Sequence, residues 1–396
     1  MGNVKVLVSG ASIAGPALAH WLHRRGAEVT VVEQAPGLRP GGQAVDARGV
    51  AKEVIRRMGL DTAVRAACTD TAGAYVVDAA GNVLETHRVE DHDGDGYISE
   101  IEILRGDLSQ VLYDDTRDDV EYVFDDRIAG LTQDATGVDV TFAGGDRRRF
   151  DLMIGADGLH SSLRAMVFGP RERFVRHLGM VLAFYTVPNE FGLEGWMLDY
   201  NEAGRTAGLR PLPDASKAIA MLSFPAPDFD VDHRDLGAQK RLLREQMAGF
   251  GWETARILTH LDDAPDFYLD QVAQVVMDRW SSGRVGLLGD AAFSASPMSG
   301  GGTGLALVGA YLLAGELASA DWDPVAGFAG YEAKMRSYVE ANQEIGRLHV
   351  EMLASTEPEP VEPDMEALTD LIARAVGGPE LPDYAGVPDL AVSSGR

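Results

Sequence analysis

The stretch that decides the fold is Val4-Lys5-Val6-Leu7-Val8-Ser9-Gly10-Ala11-Ser12-Ile13-Ala14-Gly15, near the start of the chain. Its apolar first half predicts a buried strand over residues 4–9, and the periodic apolar residues that follow predict a helix over residues 14–25. A second strand, residues 28–32, completes a β–α–β unit, which is typical of a parallel, doubly wound sheet.

The turn between the first strand and the helix has the features of a dinucleotide site. Gly10 allows the tight turn, a small side chain at Ser12 lets the backbone approach a pyrophosphate, and Gly15 lets the helix pack against the strand. The helix N-terminus adds N–H groups and positive dipole for the phosphates. Glu33 ends the second strand, at the spacing where a carboxylate binds the hydroxyls of the adenosine ribose. An acidic residue there disfavours a 2′-phosphate, so the pattern predicts FAD or NAD, with a purely structural turn as the alternative.

Two later strands also end in a carboxylate. The apolar run of residues 149–154 leads to Gly155-Ala156-Asp157-Gly158, and another buried strand leads to Gly289-Asp290. In open α/β sheets, ligands bind at the carboxyl edge of the parallel strands. Pro297 and the glycine run Gly300-Gly301-Gly302-Thr303-Gly304 follow and open a helix, which is a favourable place for negative charge.

The middle of the chain changes character. Between Val181 and Phe224 apolar and polar residues alternate, which is typical of an antiparallel sheet. The remaining pattern predicts a hairpin over residues 73–87, strands over 120–124, 137–143, 272–277 and 284–288, helices over 50–58, 107–117, 236–262, 325–353 and 365–376, and a long helix from Gly301. The Pro- and Glu-rich residues Thr356–Pro363 predict a linker or an extended crossing segment. The simplest architecture is one nucleotide-binding domain into which a sheet domain is inserted twice.

Composition excludes several classes of protein. The chain has 396 residues, 35 Lys and Arg against 61 Asp and Glu, a formal net charge of −26 and 45% hydrophobic residues. A large core is expected, so disorder, collagen and coiled coil are excluded for the chain as a whole. The negative charge disfavours nucleic acid and anionic membrane surfaces as partners. A single cysteine, Cys68, excludes an internal disulfide and a cysteine metal cluster.

The ends and the apolar runs predict a cytoplasmic location. Met1-Gly2-Asn3 leads directly into the first strand, with no targeting segment. The longest apolar run, Gly304–Gly315, is too short to span a bilayer and predicts a buried helix.

The order of these motifs, together with Arg105-Gly106-Asp107-Leu108, resembles that of the single-component FAD-dependent aromatic hydroxylases. This family has p-hydroxybenzoate hydroxylase as its type member and includes tetracycline-modifying and antibiotic-tailoring monooxygenases. The resemblance covers residues 4–350. It implies an α/β fold with a doubly wound FAD-binding domain (Rossmann-like, glutathione-reductase-type), an inserted antiparallel-sheet substrate domain and a C-terminal helix.

The resemblance also implies a reaction. NAD(P)H would give a hydride to FAD, O2 would form a C4a-hydroperoxyflavin, and one oxygen atom would pass to an aromatic or polyketide-like small molecule. The expected assembly is a monomer or homodimer. A reductase or halogenase on the same fold is the alternative, although the Trp-x-Trp-x-Ile-Pro motif of halogenases is absent, and a calcium-responsive or ligand-binding protein without turnover is a third hypothesis.

Site residues follow from the resemblance, position by position. The implied cofactor-binding residues are Gly10, Ser12, Ile13, Ala14, Gly15, Glu33, Gln34, Asp46, Arg48, Arg105, Asp157, Gly289, Asp290, Pro297, Gly300, Gly301 and Gly302. Among them, Asp157 is implied to lie between FAD and the incoming NAD(P)H, where Arg39 would meet the nicotinamide nucleotide. Two departures from the family are Ser12 in place of a glycine and a glycine run without the frequent Gln and Asn.

No catalytic residue can be assigned from the sequence. Six residues on the predicted substrate sheet are either substrate contacts or ordinary sheet packing: Tyr185, Trp196, Met197, Arg210, Pro211 and Met221.

The implied domain boundaries are an FAD-binding domain of residues 1–72, 103–177 and 278–330, a substrate-binding sheet domain of residues 73–102 and 178–277, and a C-terminal helix and tail of residues 331–396.

One motif points elsewhere. Asp91–Glu102 matches the calcium-binding loop of EF-hands, D-x-D-x-D-G-x5-E. An EF-hand needs a helix on each side, whereas the residues before Asp91 have a strand pattern. An acidic surface loop that joins the two domains is therefore the favoured interpretation, and no metal site is predicted.

Overall fold

The computed structural model describes residues 3–232, 235–354 and 365–384. The predicted linker Thr356–Pro363 and the tail after residue 384 lie outside the described residues. The strands are β1 (Lys5–Ser9), β2 (Glu28–Glu33), β3 (Ala44–Asp46), β4 (Gly73–Val77), β5 (Val83–Arg88), β6 (Glu102–Leu104), β7 (Glu121–Phe124), β8 (Ile128–Gln133), β9 (Val138–Phe142), β10 (Arg147–Phe150), β11 (Leu152–Gly155), β12 (Val175–Pro188), β13 (Trp196–Glu202), β14 (Arg205–Pro211), β15 (Lys217–Pro225), β16 (Tyr268–Val275), β17 (Ser281–Ser282) and β18 (Val285–Leu287). The α-helices are α1 (Ala14–Arg24), α2 (Val50–Met58), α3 (Asp61–Ala66), α4 (Arg105–Thr116), α5 (Ser162–Phe168), α6 (Leu236–Met247), α7 (Thr254–Thr259), α8 (Asp290–Phe293), α9 (Gly302–Ser319), α10 (Pro324–Ala354) and α11 (Met365–Gly377).

The first sheet is built around β1. Its order is β17-β18-β11-β1-β2-β7, and every pairing is parallel except that of the short edge strand β17. Val6, Leu7 and Val8 are fully buried in it, as expected for a strand covered on both faces. Helices α1 and α9 pack against one another over this core. The predicted doubly wound α/β fold is confirmed, and the residues that open it, β1–α1–β2, have the predicted positions.

The second sheet is mostly antiparallel. Its order is β16-β12-β15-β14-β13-β4-β5, with β13 and β4 as its one parallel pair among the described strands. The hairpin β4–β5 forms as predicted and extends this sheet at its edge. Helices α6 and α7 cover one face through Leu243, Met247 and Ile257, which share a buried cluster with sheet residues. The opposite face is left for the cavity described below.

Two predicted elements are each divided in the structure. The helix predicted over residues 236–262 is wrong as one element, because the backbone turns left-handed at Gly249 (φ 70°) and Trp252 (φ 53°) and separates α6 from α7. The strand predicted over 149–154 divides at Asp151, since Phe150 pairs with β9 whereas Leu152 pairs with β1.

Two strands begin earlier than predicted. The strand β12 starts at Val175 and passes through an irregularity between His177 and Val181, and β16 begins at Tyr268 rather than at residue 272. The strand β8 and the helices α3 and α5 were not predicted.

The apolar run Gly304–Gly315 lies in α9, a buried helix as predicted. Among the described residues this helix, Gly302–Ser319, is long and apolar enough to cross a membrane by length and composition alone, and most of it is buried inside the protein. A helix in the core of a protein has the same apolar composition as a membrane-spanning helix. This helix is therefore weak evidence for a membrane span.

Candidate functional site

A cavity of about 1710 Å³ lies where the carboxyl edge of the first sheet meets the free face of the second sheet. We call it the shared cavity. Its lining comes from the β1–α1 turn, the glycine run before α9 and the strands β12–β15. Pockets for a single small molecule usually measure about 300–1,000 Å³. The shared cavity therefore has room for two molecules side by side.

The β1–α1 turn requires its glycines. Gly10 has a φ of 110°, and a Cβ there would lie 2.4 Å from the carbonyl oxygen of Ala156. A Cβ on Gly15 would lie 1.9 Å from the carbonyl oxygen of Gly10. Ser12 takes the second position of the motif and accepts a hydrogen bond from Arg105 Nη1 at 3.2 Å. The serine thus links the turn to the half-buried guanidinium of Arg105 instead of disturbing it.

Glu33 shapes the same edge. Its Oε2 accepts the Ala11 N–H at 3.0 Å, and its Oε1 accepts the Ala35 N–H at 2.9 Å. The carboxylate lines the shared cavity, and each of its oxygens keeps a lone pair for a further donor. This is the arrangement that a ribose diol requires.

Arg105 and Asp290 both line the shared cavity. Burial, and then the nearby charge of Arg39, lower the pKa of the Arg105 guanidinium. Burial raises the pKa of Asp290, although the hydrogen bond with Ser294 and the charge of Arg105 oppose the shift. Asp290 stands at the start of α8, directly after the left-handed Gly289.

The glycine run is closely covered. A Cβ on Gly300 would lie 2.6 Å from Arg48 Nη1, and one on Gly301 would lie 1.8 Å from Asn342 Oδ1. Larger residues are therefore excluded there. The glycine run itself lacks the Gln and Asn that are frequent in the family. A side-chain amide is nevertheless present beside it, because Asn342 of α10 packs against Gly301.

Arg48 connects the two halves of the cavity. Its Nη2 lies 2.9 Å from Asp46 Oδ2 and donates to the carbonyl oxygen of Tyr97 at 3.1 Å. Burial raises the pKa of Asp46, while the charge of Arg48 opposes that rise.

The carboxylate of Asp157 is already engaged. It accepts hydrogen bonds from Ser161 Oγ at 2.5 Å, from Ser162 Oγ at 3.1 Å and from the Leu163 N–H at 3.1 Å. These bonds fix the start of α5. Asp157 lines the shared cavity as well, so its predicted place beside the cofactor stays a prediction.

Sequence reasoning missed a polar group beside Asp157. His160 Nε2 lies 2.6 Å from Asp270 Oδ2, and the Tyr268 hydroxyl donates to the same oxygen at 3.1 Å. His160 follows the predicted Asp157-Gly158 turn by two residues, which is a signal that the sequence contained.

The structure brings together nearly all of the predicted cofactor residues. Fifteen of the seventeen line the shared cavity: Gly10, Ser12, Ile13, Ala14, Glu33, Gln34, Asp46, Arg48, Arg105, Asp157, Asp290, Pro297, Gly300, Gly301 and Gly302. Gly15 and Gly289 do not line it and serve the packing of the turns that carry the others.

The predicted substrate-sheet residues divide differently. Arg210 and Met221 line the shared cavity, whereas Tyr185, Trp196, Met197 and Pro211 do not. Tyr185 points to the opposite face, where its hydroxyl donates to the Ile257 carbonyl at 3.2 Å.

Buried polar atoms without a partner test whether the cavity fits a ligand. Of thirteen such side-chain atoms among the described residues, seven belong to residues that line the shared cavity. Four lie on the cofactor side: Asp46 Oδ1, Arg48 Nε, Arg105 Nε and Ser296 Oγ. A buried polar atom without a partner is costly. Two guanidinium donors and two acceptors fit a phosphate-bearing, polar-ringed cofactor such as FAD.

The EF-hand-like loop holds an ammonium group. Lys52 Nζ of α2 lies 2.9 Å from both Asp95 Oδ1 and Glu100 Oε1. It also donates to the Gly94 carbonyl at 3.5 Å. We call this arrangement the Lys52 clamp. No cluster of three or more His, Cys, Asp or Glu side chains suited to a metal was found within the described ranges.

The fold and the shared cavity define a class: a dinucleotide-dependent α/β enzyme whose cofactor edge faces a second sheet. A family model described as an FAD binding domain matches residues 3–344. A protein of Mycobacterium tuberculosis that carries the name uncharacterized protein is 48% identical over 339 residues, which are 85% of this chain and 91% of that protein.

Two further relatives have functional names. A flavin-dependent monooxygenase from an unknown prokaryotic organism is 40% identical over 386 residues, or 96% of this chain and 99% of that protein. The crystal structure of tetracycline destructase Tet(55) matches with a TM-score of 0.85 at 39% identity, covering 97% of this chain and 99% of that one. The chain belongs to the FAD-dependent aromatic hydroxylase family of flavin monooxygenases, and it is an oxidoreductase that binds FAD.

Proposed function

We propose that this protein is an NAD(P)H-dependent FAD monooxygenase that hydroxylates an aromatic or polyketide-like small molecule. The observation that carries the proposal is the shared cavity, in which the cofactor edge of the parallel sheet opens directly onto the free face of the antiparallel sheet. A single dinucleotide turn fits a hydride donor that visits the cavity without a second nucleotide-binding domain.

The residues of this chain would hold FAD along the cofactor edge. The N–H groups of the β1–α1 turn would bind the pyrophosphate, Glu33 the adenosine ribose, and Arg105 and Asp290 the pyrophosphate and ribityl region. The backbone of Pro297–Gly302 would face the isoalloxazine ring. When bound, FAD would accept a hydride from NAD(P)H and activate O2, so that one oxygen atom passes to the substrate and the other leaves as water.

The protein side chains would orient the substrate and exclude water. Leu182, Phe184, Met221 and Met298 share one apolar cluster and form an apolar part of the cavity wall. An apolar wall excludes bulk water from the reacting atoms and keeps the activated oxygen for the substrate. The name of the structural relative Tet(55) points to tetracyclines, and we extend to this chain only the class of flat, fused-ring molecules.

Other properties are proposed with the function. We place the enzyme in the cytoplasm, as a monomer or homodimer. The alternative is a reductase or halogenase on the same fold, and oxygen consumption coupled to a hydroxylated product separates these activities.

The first experiment is the visible spectrum of the purified protein, before and after anaerobic NADPH, with and without tetracycline. A yellow protein that NADPH bleaches faster with tetracycline present is the expected result. A flavin that neither NADPH nor NADH reduces would contradict the proposed donor, and a protein that binds no flavin after incubation with FAD would contradict the whole proposal.

A further inference from the structure

A row of paired residues runs across the second sheet from β12 to β4 on its cavity face. Phe184 of β12 pairs with Met221 of β15, which pairs with Gly208 of β14. Gly208 pairs with Asp199 of β13, and Asp199 pairs with Val76 of β4. Paired residues point to the same side of a sheet. The row therefore passes from large apolar side chains, over a glycine, to a single carboxyl group.

A second row lies two residues along the strands and faces the same side. Leu182 pairs with Ser223, Ser223 with Thr206, and Thr206 with Asn201. All four line the shared cavity. This row repeats the order of the first, with an apolar residue on β12 and polar residues on the strands beyond it.

Three polar atoms of these rows have no partner. They are Asp199 Oδ1, Thr206 Oγ1 and Ser223 Oγ, and each is buried. All three residues line the shared cavity on the side away from the cofactor edge. These atoms, one carboxyl oxygen and two hydroxyl oxygens, lie on neighbouring strands and lack hydrogen-bond partners. They form one set, because a single bound molecule can make hydrogen bonds to all three.

Asp199 is the centre of that set. Its exposed fraction is 1%, and its Oδ2 accepts the Tyr97 hydroxyl at 3.1 Å. Space over Oδ1 exists only because residue 208 is glycine, where a Cβ would lie 2.5 Å from that oxygen. The guanidinium of Arg210, whose charge acts on Asp199, donates to Glu102 Oε2 at 3.0 Å. The Oδ1 atom is thus left for a donor that the described residues do not supply.

The basic residues His87 and Arg210 line this side of the cavity, but each is paired with a carboxylate, His87 with Glu85 at 3.2 Å and Arg210 with Glu102 at 3.0 Å. The other carboxylates on this side favour a neutral or cationic donor. Glu85 pairs with Val76 at the end of the first row, and Glu85, Asp91 and Asp93 line the shared cavity. Like charge at a binding site disfavours an anionic ligand and so contributes to specificity.

We propose that Asp199, Thr206 and Ser223 form a substrate subsite that binds the hydroxyl or ammonium edge of a flat, fused-ring molecule whose apolar body lies on Phe184 and Met221. The subsite selects neutral or cationic ring systems over aromatic carboxylates. This inference deepens the proposed function and rests on it for the identity of the reaction, although ligand binding tests the subsite directly.

The experiment uses the FAD-loaded protein and a pair of ligands that differ in charge. Titration calorimetry compares naphthylmethylamine, a cation at neutral pH, with naphthoate, an anion of similar size, and tetracycline serves as a larger probe. The variants are Asp199→Asn, Thr206→Val and Ser223→Ala. Asp214→Asn is the control, since Asp214 is an exposed residue of the β14–β15 turn paired with Lys217 at 3.0 Å.

Burial raises the pKa of Asp199, although the charge of Arg210 opposes the rise, and an ammonium group at Oδ1 favours the ionised form. The wild-type protein should therefore bind the amine at least about tenfold more tightly than naphthoate, since a charged hydrogen bond forms with one ligand and is replaced by repulsion with the other. Asp199→Asn should abolish most of that preference, and Thr206→Val and Ser223→Ala should each weaken tetracycline binding by about threefold. The control should behave as the wild type.

Three results would overturn the inference: naphthoate bound as tightly as the amine, a preference unchanged in Asp199→Asn, or no binding of either the amine or tetracycline. A yellow spectrum in each variant shows that the fold is intact, and the hydroxyl variants test the subsite even where Asp199→Asn is unstable. If the protein does not bind FAD, the proposed function is wrong, and the visible spectrum shows that result. The ligand preference is measured by calorimetry, so its failure contradicts only the subsite.

Discussion

At Glu33 a single carboxylate holds two backbone N–H groups, and it is the residue proposed to bind the adenosine ribose. Glu33→Gln would set an amide N–H2 against one of these donors and lose a charged hydrogen bond. Hydrogen bonds to charged groups contribute roughly 1.5–3 kcal/mol, so the Kd for FAD should rise by about 10- to 100-fold. Quenching of FAD fluorescence during titration of the apoprotein measures it. Glu28→Gln, at the exposed start of the same strand, should leave the Kd unchanged, and equal loss in both variants would refute a specific role for Glu33.

Single residues also show which parts of the site could be predicted from the sequence and which could not. The glycines and Glu33 were predictable because their spacing along one β–α–β unit fixes their positions. Asp199, Thr206 and Ser223 were missed, since an isolated polar residue in an alternating strand has the same pattern as a solvent-exposed one. Asp199 comes to lie beside Gly208 through the register of the β13–β14 hairpin, and beside Val76 through a pairing with β4, a strand far away in the chain.

At the scale of elements, local pattern predicted the strands and helices whose periodicity is undisturbed, such as β1, α1 and α9. It failed where tertiary pairing decides the boundary. Nothing in the residues around Asp151 shows that Phe150 pairs with β9 and Leu152 with β1, and the break between α6 and α7 depends on left-handed residues. The EF-hand-like loop was set aside on its context, and its assignment as a loop without a metal stays a prediction. The partner in its centre, Lys52, could not be predicted, because it lies about forty residues earlier in the chain.

The Lys52 clamp gives an element-scale prediction, because it ties α2 to the loop that carries Tyr97. Lys52→Met should lower the free energy of unfolding by about 1 kcal/mol and speed hydrogen exchange at the amides of Gly94 and Glu100. Lys217→Met removes an exposed pair with Asp214 and should change stability by less than about 0.5 kcal/mol. Equal exchange in wild type and Lys52→Met would show that the clamp does not hold the loop.

The clamp should also depend on pH in a defined direction. Burial favours loss of the Lys52 proton, but hydrogen bonds to Asp95 and Glu100 outweigh it and raise the pKa above 10.5. The bond from Lys52 lowers the pKa of Glu100 below 4.5. The contribution of Lys52 to the stability of the loop is complete below the ordinary pKa of a lysine. It is lost as the pH rises through the pKa that Lys52 has in the folded protein. The contribution of Glu100 to the stability of the loop is complete above the ordinary pKa of a glutamate. It is lost as the pH falls through the pKa that Glu100 has in the folded protein. The protection of the loop amides, taken as the intrinsic exchange rate at each pH divided by the observed rate, should therefore be greatest between about pH 5 and pH 10 and should fall outside that range in the wild type, whereas Lys52→Met should show no such dependence.

At the scale of the whole molecule, the net charge of −26 acts on every ligand that approaches. NADPH, the proposed hydride donor, is an anion, so its encounter with the protein should be slowed at low salt. Raising the ionic strength from about 0.01 to 0.15 M shortens the Debye length from roughly 30 to 8 Å and should speed flavin reduction at low NADPH by about two- to tenfold. Stopped-flow absorbance measures this rate. The limiting rate at saturating NADPH should not change, since the bound complex has already formed, and an uncharged donor, benzyl dihydronicotinamide, should show no salt dependence. A rate that falls as salt rises would mean that local cations such as Arg39 and Arg105 outweigh the net charge at the entrance, and the argument from net charge would then be wrong.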